Sequence, residues 1–287
     1  MQVQNEQSNS PQQQFGAPVD DINRYFSGKE LYGDNFSNDE IARWYADEAE
    51  AYAQLGSMER QSYQYSYHEW NQQHGYRYLD DGNIIDHVMA FGSAYGDELK
   101  PIVERVNRIT MIDSSDAFHT TEISGKPVRY VKPTVEGNLS LDTGSVDLVT
   151  CFGVLHHIPN VTNVLKEIAR TLKPGAKMLL REPIVSMGDW RLPRAGLTKR
   201  ERGIPLHLLK SACVNANLSI DHATLCGFSL TPKISSVLRL DPYNSKLITK
   251  LDRLACKVMA RNVRYHSTTL LGRIRPTCVF LVLTHRQ

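Results

Sequence analysis

From residue 84 onward, short apolar runs alternate with longer stretches in which apolar residues recur every three or four positions. IIDHVMAF (84–91), RITMID (108–113), VRYVKP (128–133), VDLVTCF (146–152) and KMLLREP (177–183) read as strands. Between them, DELKPIVERV (97–106) reads as a helix with Pro101 in its first turns. NVTNVLKEIARTL (160–172) places Val161, Val164, Leu165, Ile168 and Leu172 on one helical face. Asn160 is the expected N-cap, and Lys173-Pro174-Gly175 the stop. Further on come a helix then a strand (205–225) and an amphipathic helix (244–262) with Leu247, Leu251, Leu254 and Val258 on one face. A last strand lies at 277–285. This alternation predicts a parallel sheet covered on both faces.

The N-terminal part differs. Residues 1–20 are rich in Gln, Asn, Ser and Pro and read as a disordered tail. NDEIARWYADEAEAYAQLG predicts a helix that stops at Gly56, and 63–78 holds five tyrosines and a tryptophan. The 41% apolar and 22% charged content are those of a globular chain, and a net charge of +2 points to no nucleic-acid partner. Five scattered cysteines with no Cys/His ligand spacing argue against a zinc site and for reduced thiols in the cytoplasm. No signal peptide and no membrane span are expected.

The first strand-to-helix turn, FGSAYG (91–96), is where a doubly wound sheet binds ligands. Gly92 and Gly96 let a backbone pass close to one. Asp113 ends the next strand, where an acid accepts the ribose hydroxyls of an adenosine-containing cofactor. A dinucleotide fits poorly. Ala94 stands at the middle glycine of its fingerprint, and Asp97 would face the pyrophosphate.

FGSAYG, RITMIDSS and above all NLSLDTGSVDLVTCFGVLHHIPNVTNVLKEIARTLKPGAKMLLREP resemble the class I S-adenosylmethionine-dependent methyltransferases of the small-molecule branch. The resemblance is close over about 84–183 and by element order elsewhere. It implies an α/β, doubly wound Rossmann-like sheet of seven strands, the last antiparallel, under a helical N-terminal lid (21–80). The cofactor domain would span 81–287, with a basic substrate loop at 186–205 and a helical insertion at 243–275. It implies S-adenosyl-L-methionine as cofactor, leaving as S-adenosyl-L-homocysteine. Phe91, Gly92, Ser93, Ala94 and Gly96 would line its methionine and ribose, and Asp113 would hold the ribose hydroxyls. Ser114, Asn138 and Leu139 would lie near the adenine, and Cys151, Phe152 and Gly153 near the methionine. Two positions depart from the family: Ala94, and Val135 where an acid is common.

Methyl transfer to a hydroxyl needs alignment and a base. His156 and His157 come after the fourth expected strand and Glu182 ends the fifth; these are the base candidates, and no metal is expected. Asp147 starts its strand, at the far end, and reads as structural. The loop CFGVLHH lacks the (N/D)PP(Y/F) signature of nucleic-acid amine methyltransferases. Arg181, Trp190, Arg191, Arg194 and Arg202, with Tyr67, suggest a small anionic or glycan-linked acceptor methylated at oxygen. A non-catalytic cofactor-binding module and an RNA methyltransferase using the basic loop are the alternatives.

Overall fold

The computed structural model describes residues 22–55, 64–80, 82–194 and 196–286; the expected 1–20 tail and the Gly56 stop lie outside them. Strands β1 (Ile85–Phe91), β2 (Val106–Ile112), β3 (Glu122–Ile123), β4 (Lys126–Val131), β5 (Val146–Phe152), β6 (Leu172–Pro183), β7 (Leu218–Phe228) and β8 (Pro276–His285) form one sheet. Its order is β3-β4-β2-β1-β5-β6-β8-β7. The pairings from β4 through β6 are parallel, and β8 inserts antiparallel between β6 and β7. The helices are α1 (Ile22–Phe26), α2 (Asn38–Leu55), α3 (His68–His74), α4 (Val161–Thr171), α5 (Leu206–Asn215), α6 (Thr231–Val237), α7 (Lys246–Val258) and α8 (Leu270–Arg273).

The sheet has eight strands rather than the expected seven. The extra one, β3, pairs antiparallel with β4 across Ser124-Gly125, both with positive φ (49° and 78°). Two such residues close a tight hairpin.

The strands alternate as a sheet buried on both faces must. Met89, Phe91, Val149, Cys151, Met178, Leu180, Leu281 and Leu283 enter one core, under α4 and α5. Val88, Ala90, Leu148, Leu179, Phe280 and Val282 enter the other. The expected helix over 97–106 does not form there. Two short 3₁₀ turns, Asp97–Leu99 and Val103–Arg105, stand in its place, and β2 begins at Val106. Pro101 has no N–H for the Asp97 carbonyl four residues back. Leu99, Ile102 and Val103 cover that core instead, helped by Trp70 and Tyr76.

The two predicted apolar stripes face opposite ways. α4 buries the expected Val161, Val164, Leu165 and Ile168. Asn160 does not cap it through its side chain, and its Nδ2 donates to the Glu136 carbonyl at 2.7 Å. Asp34 caps the helix instead, accepting from Thr162 N–H (2.8 Å) and Thr162 Oγ1 (2.6 Å). α7 is reversed. Thr249, Asp252 and Cys256 are its buried residues, while Leu247, Leu251, Leu254 and Val258 face outward. It belongs to the 229–275 segment that joins β7 to β8.

Candidate functional site

Register fixes the site. Phe91 pairs with Ile112 and with Cys151, and Phe152 with Arg181. The carboxyl ends of β1, β2, β5 and β6 therefore finish level, and the turns after them meet on one side. Gly92 N–H donates to the Ile112 carbonyl and Gly153 N–H to the Arg181 carbonyl, both at 2.7 Å, which ties the turns to neighbouring strands.

In the first turn Gly92, Ala94 and Gly96 all have positive φ, at 64°, 51° and 73°. Ala94 thus adopts the left-handed conformation that the family's glycine would take, at a cost of about 1–2 kcal/mol. A Cβ on Gly92 would collide with Val154, and one on Gly96 with Ile123, so both glycines are also required by packing. The Ser93 hydroxyl is buried beside the Glu98 carboxyl, which burial lifts to about 8. Asp113 Oδ1 accepts Ser115 N–H at 2.9 Å, and burial lifts its carboxyl to about 6. Ser114 is exposed. Asn138 is exposed in a turn closed by Thr134, while Leu139 is buried and donates its N–H to Glu167 at 2.9 Å. Cys151 is wholly buried, and burial drives its thiol far above the ordinary value, so it is an inert core residue. Asp147, at the opposite strand end, accepts from His87 N–H and Lys173, as a structural anchor does.

After β5, Glu182 gathers the turn. Its Oε1 accepts Val154 and Leu155 N–H, both at 2.8 Å; its Oε2 accepts His156 N–H (3.3 Å) and meets His156 Nδ1 (2.8 Å). His156 Nε2 faces Glu201 at 3.4 Å. Burial alone would lower His156, but the hydrogen bonds to Glu182 and Glu201 outweigh it and raise the ring to about 9. Glu201 is pulled to about 2 against its own desolvation, by His156 first. His156 is therefore a bridging imidazolium at neutral pH, and Glu182 a clamp whose oxygens are engaged. His157 is lowered, by burial first and then by the charge of His156. Its Nδ1 lies 3.1 Å from Glu48 Oε2, and a carboxylate there selects the tautomer with Nε2 as acceptor. His156, His157 and Glu201 also come close enough to share a cation, but the imidazolium between two carboxylates accounts for the same geometry without one.

Much of the basic loop turns inward, while Arg191 and Lys199 stay exposed. Arg191 binds Asp189 in its own turn, and Arg194 donates to the Met187, Thr198 and Glu201 carbonyls. Arg200 pairs with Asp47. Arg202 is fully buried, and its guanidinium donates to the carbonyls of Tyr32, Leu155, His156, Ile158 and Pro159. Trp190 is buried among Tyr25, Phe26 and Tyr32, stacked on Tyr32 at 4.6 Å. Arg200, Arg202 and Trp190 therefore hold the N-terminal helices to the sheet, Arg194 ties its own loop, and Arg191 stays exposed on Asp189.

Arg181 is different. It is 6% exposed, and no carboxylate pairs with it among the described residues. Its guanidinium lies 4.5 Å from the ring centre of Tyr67, 4.6 Å from Trp70 and 5.6 Å from Phe152. Its one hydrogen bond runs from Nη1 to Asn71 Oδ1, at 2.8 Å. The sequence reading missed Glu48, Asn71 and Glu201 as participants. Glu48 and Asn71 reach the site from helices about a hundred residues away, and no local motif marks such contacts. Glu201 lies in the basic loop, where an acid among five basic residues carries no local mark of a role.

The methyltransferase domain family matches residues 89–180. The ubiquinone biosynthesis O-methyltransferase of Xanthomonas oryzae is 35% identical over 83 residues, 29% of this chain and 30% of that protein. The one from Escherichia fergusonii is 40% identical over 88 residues, 31% and 36% of the two chains. The chain thus spans about a third of the length of these curated relatives. A chain from the complex between the Haloferax volcanii Trm112 methyltransferase activator and a methyltransferase superposes with a TM-score of 0.52. The match covers 84% of this chain and 97% of that one at 14% identity, a likeness of fold alone. Residues 89–180 are thus similar to the methyltransferase domain family, and the fold as a whole is like that of the Haloferax methyltransferase-complex chain.

Proposed function

We propose that the chain transfers a methyl group from S-adenosylmethionine to an oxygen of a small, anionic acceptor, such as a carboxylated or phosphorylated sugar or glycan-linked group. The observation that carries the anionic part is Arg181, a buried cation without a carboxylate at the strand ends. Burying a charge is costly unless something pairs with it, and a guanidinium fork suits carboxylate or phosphate.

The turn residues fit the cofactor. The left-handed turn at 92–96 and the Asp113 carboxyl supply clearance and a ribose acceptor. When bound, the cofactor supplies an electrophilic methyl group on sulfonium. The chain's task is to hold the acceptor in line and take its proton. His157 is the base this reading selects, because it is the neutral ring, oriented by Glu48; His156 and Glu182 serve as its scaffold.

Two measurements test the reading. Calorimetric titration with S-adenosylhomocysteine should show binding, and labelled S-adenosylmethionine should mark an anionic acceptor fraction of a cell extract; absence of cofactor binding sinks the proposal. Arg181→Met should raise the acceptor KM about a hundredfold. If cofactor affinity falls instead, Arg181 reads the carboxylate of the cofactor. The missing helix after the glycine turn favours one second reading, a cofactor-binding module without turnover. Cofactor binding with no methyl uptake by any fraction would select it.

A further inference from the structure

Antiparallel neighbours such as β7 and β8 need only a two-residue connection. Here residues 229–275 intervene, and this insertion is chemically unlike the rest of the chain. It carries ten basic and two acidic residues, against 33 and 31 in the whole, so the remainder is acidic on balance. It also holds ten of the fifteen large exposed hydrophobic residues found among the described residues.

The arrangement centres on α7. Leu247, Leu251, Leu254 and Val258 form a single outward stripe, 55 to 73% exposed. Lys246, Lys250 and Lys257, with Arg253, follow the same helical spacing along one flank of the stripe. This orientation is built, not incidental. Asp252, on the opposite face, accepts Gly227 N–H (2.9 Å) and Phe228 N–H (2.8 Å) at the end of β7. Thr249 Oγ1 donates to the Pro242 carbonyl, and the Lys246 carbonyl accepts from Gln73. Turning the leucines inward would break these bonds.

We propose that the 229–275 insertion docks the protein on an anionic lipid surface, with α7 lying in the interface plane. An apolar stripe flanked by lysines is what that environment selects: aliphatic side chains enter the acyl boundary, and lysine stems reach back to the headgroups. A protein partner fits the stripe less well. Protein interfaces are depleted in lysine and anchored by aromatic residues, and α7 carries no aromatic residue.

The test is co-sedimentation of the full chain with vesicles of phosphatidylcholine alone or with about a quarter phosphatidylglycerol. The expected result is partitioning at least about tenfold stronger on the anionic vesicles, weakening as salt rises. The double substitution Leu251→Glu/Leu254→Glu should abolish it, with circular dichroism unchanged because both sites are solvent-facing. Lys250→Glu/Lys257→Glu should remove the preference for phosphatidylglycerol. Equal partitioning on both vesicles, or an unaffected leucine variant, overturns the proposal. So does a dimer in light scattering that the leucine variant dissociates, since a second copy would then cover the stripe.

Discussion

The two faces of the sheet are finished to different degrees. Arg181 and Glu182 are adjacent on β6 and point to opposite sides, as successive strand residues do. Glu182 meets three backbone N–H groups and a histidine ring; Arg181 meets one amide oxygen and three aromatic rings. The helices repeat the contrast. α4 and α7 are both strongly amphipathic, but α4 turns its apolar stripe to the core and α7 turns it to solvent. On one face Glu182 and the α4 stripe find their partners inside the chain. On the other, Arg181 has no paired carboxylate among the described residues, and the α7 leucines face solvent.

The contrast can be broken most sharply at the helices. Ile168→Asp in α4 should cost more than about 4 kcal/mol in urea unfolding, since a carboxylate would be buried without a partner. Leu254→Asp in α7 should change stability by less than about 0.5 kcal/mol. Equal effects would mean that α7 is packed against something.

The β6 pair comes next. Glu182→Ala leaves three N–H groups unmet and the His156 charge with Glu201 alone, and should cost about 3–5 kcal/mol. Arg181→Met should stay within about 1 kcal/mol of wild type, because it exchanges an uncompensated cation for an apolar side chain of similar size. Guanidinium denaturation of both variants checks this.

A smaller effect is read through pH. The folded His156 titrates at about 9, above the free imidazole value. Its stabilisation is therefore complete below about 6.5 and is lost as pH rises through 9. His156→Gln should flatten thermal stability across that window. Asp113 works in the other direction: in the proposed function ribose hydroxyls would donate to its ionised form, so cofactor affinity should fall as pH drops through about 6. Asp113→Asn should remove that dependence. Smallest is Ala94→Gly. It relieves a left-handed alanine and should shift stability by about 1 kcal/mol or less, with cofactor affinity equal or higher.

The strands were legible in the sequence because burial on both faces leaves near-continuous apolar runs, as in VDLVTCF and KMLLREP. The glycine turn and Asp113 were legible for the same local reason, falling at strand ends. The 97–106 stretch was misread as a helix because Leu99, Ile102 and Val103 suit both a 3.6-residue and a three-residue period. Within the basic loop the burial of Arg202 was not legible, because a guanidinium satisfied by five distant carbonyls looks, in one dimension, like a free charge.

The sequence by itself determined the periods, the order of elements and the family resemblance, since each rests on neighbours along the chain. It also determined that α7 has an apolar stripe. Only the tertiary structure decided which way that stripe faces, because direction depends on Asp252 reaching the Gly227 and Phe228 amides. It also decided that Glu182 finds its histidine while Arg181 keeps its charge, because partners drawn from separate elements meet only when the sheet is assembled.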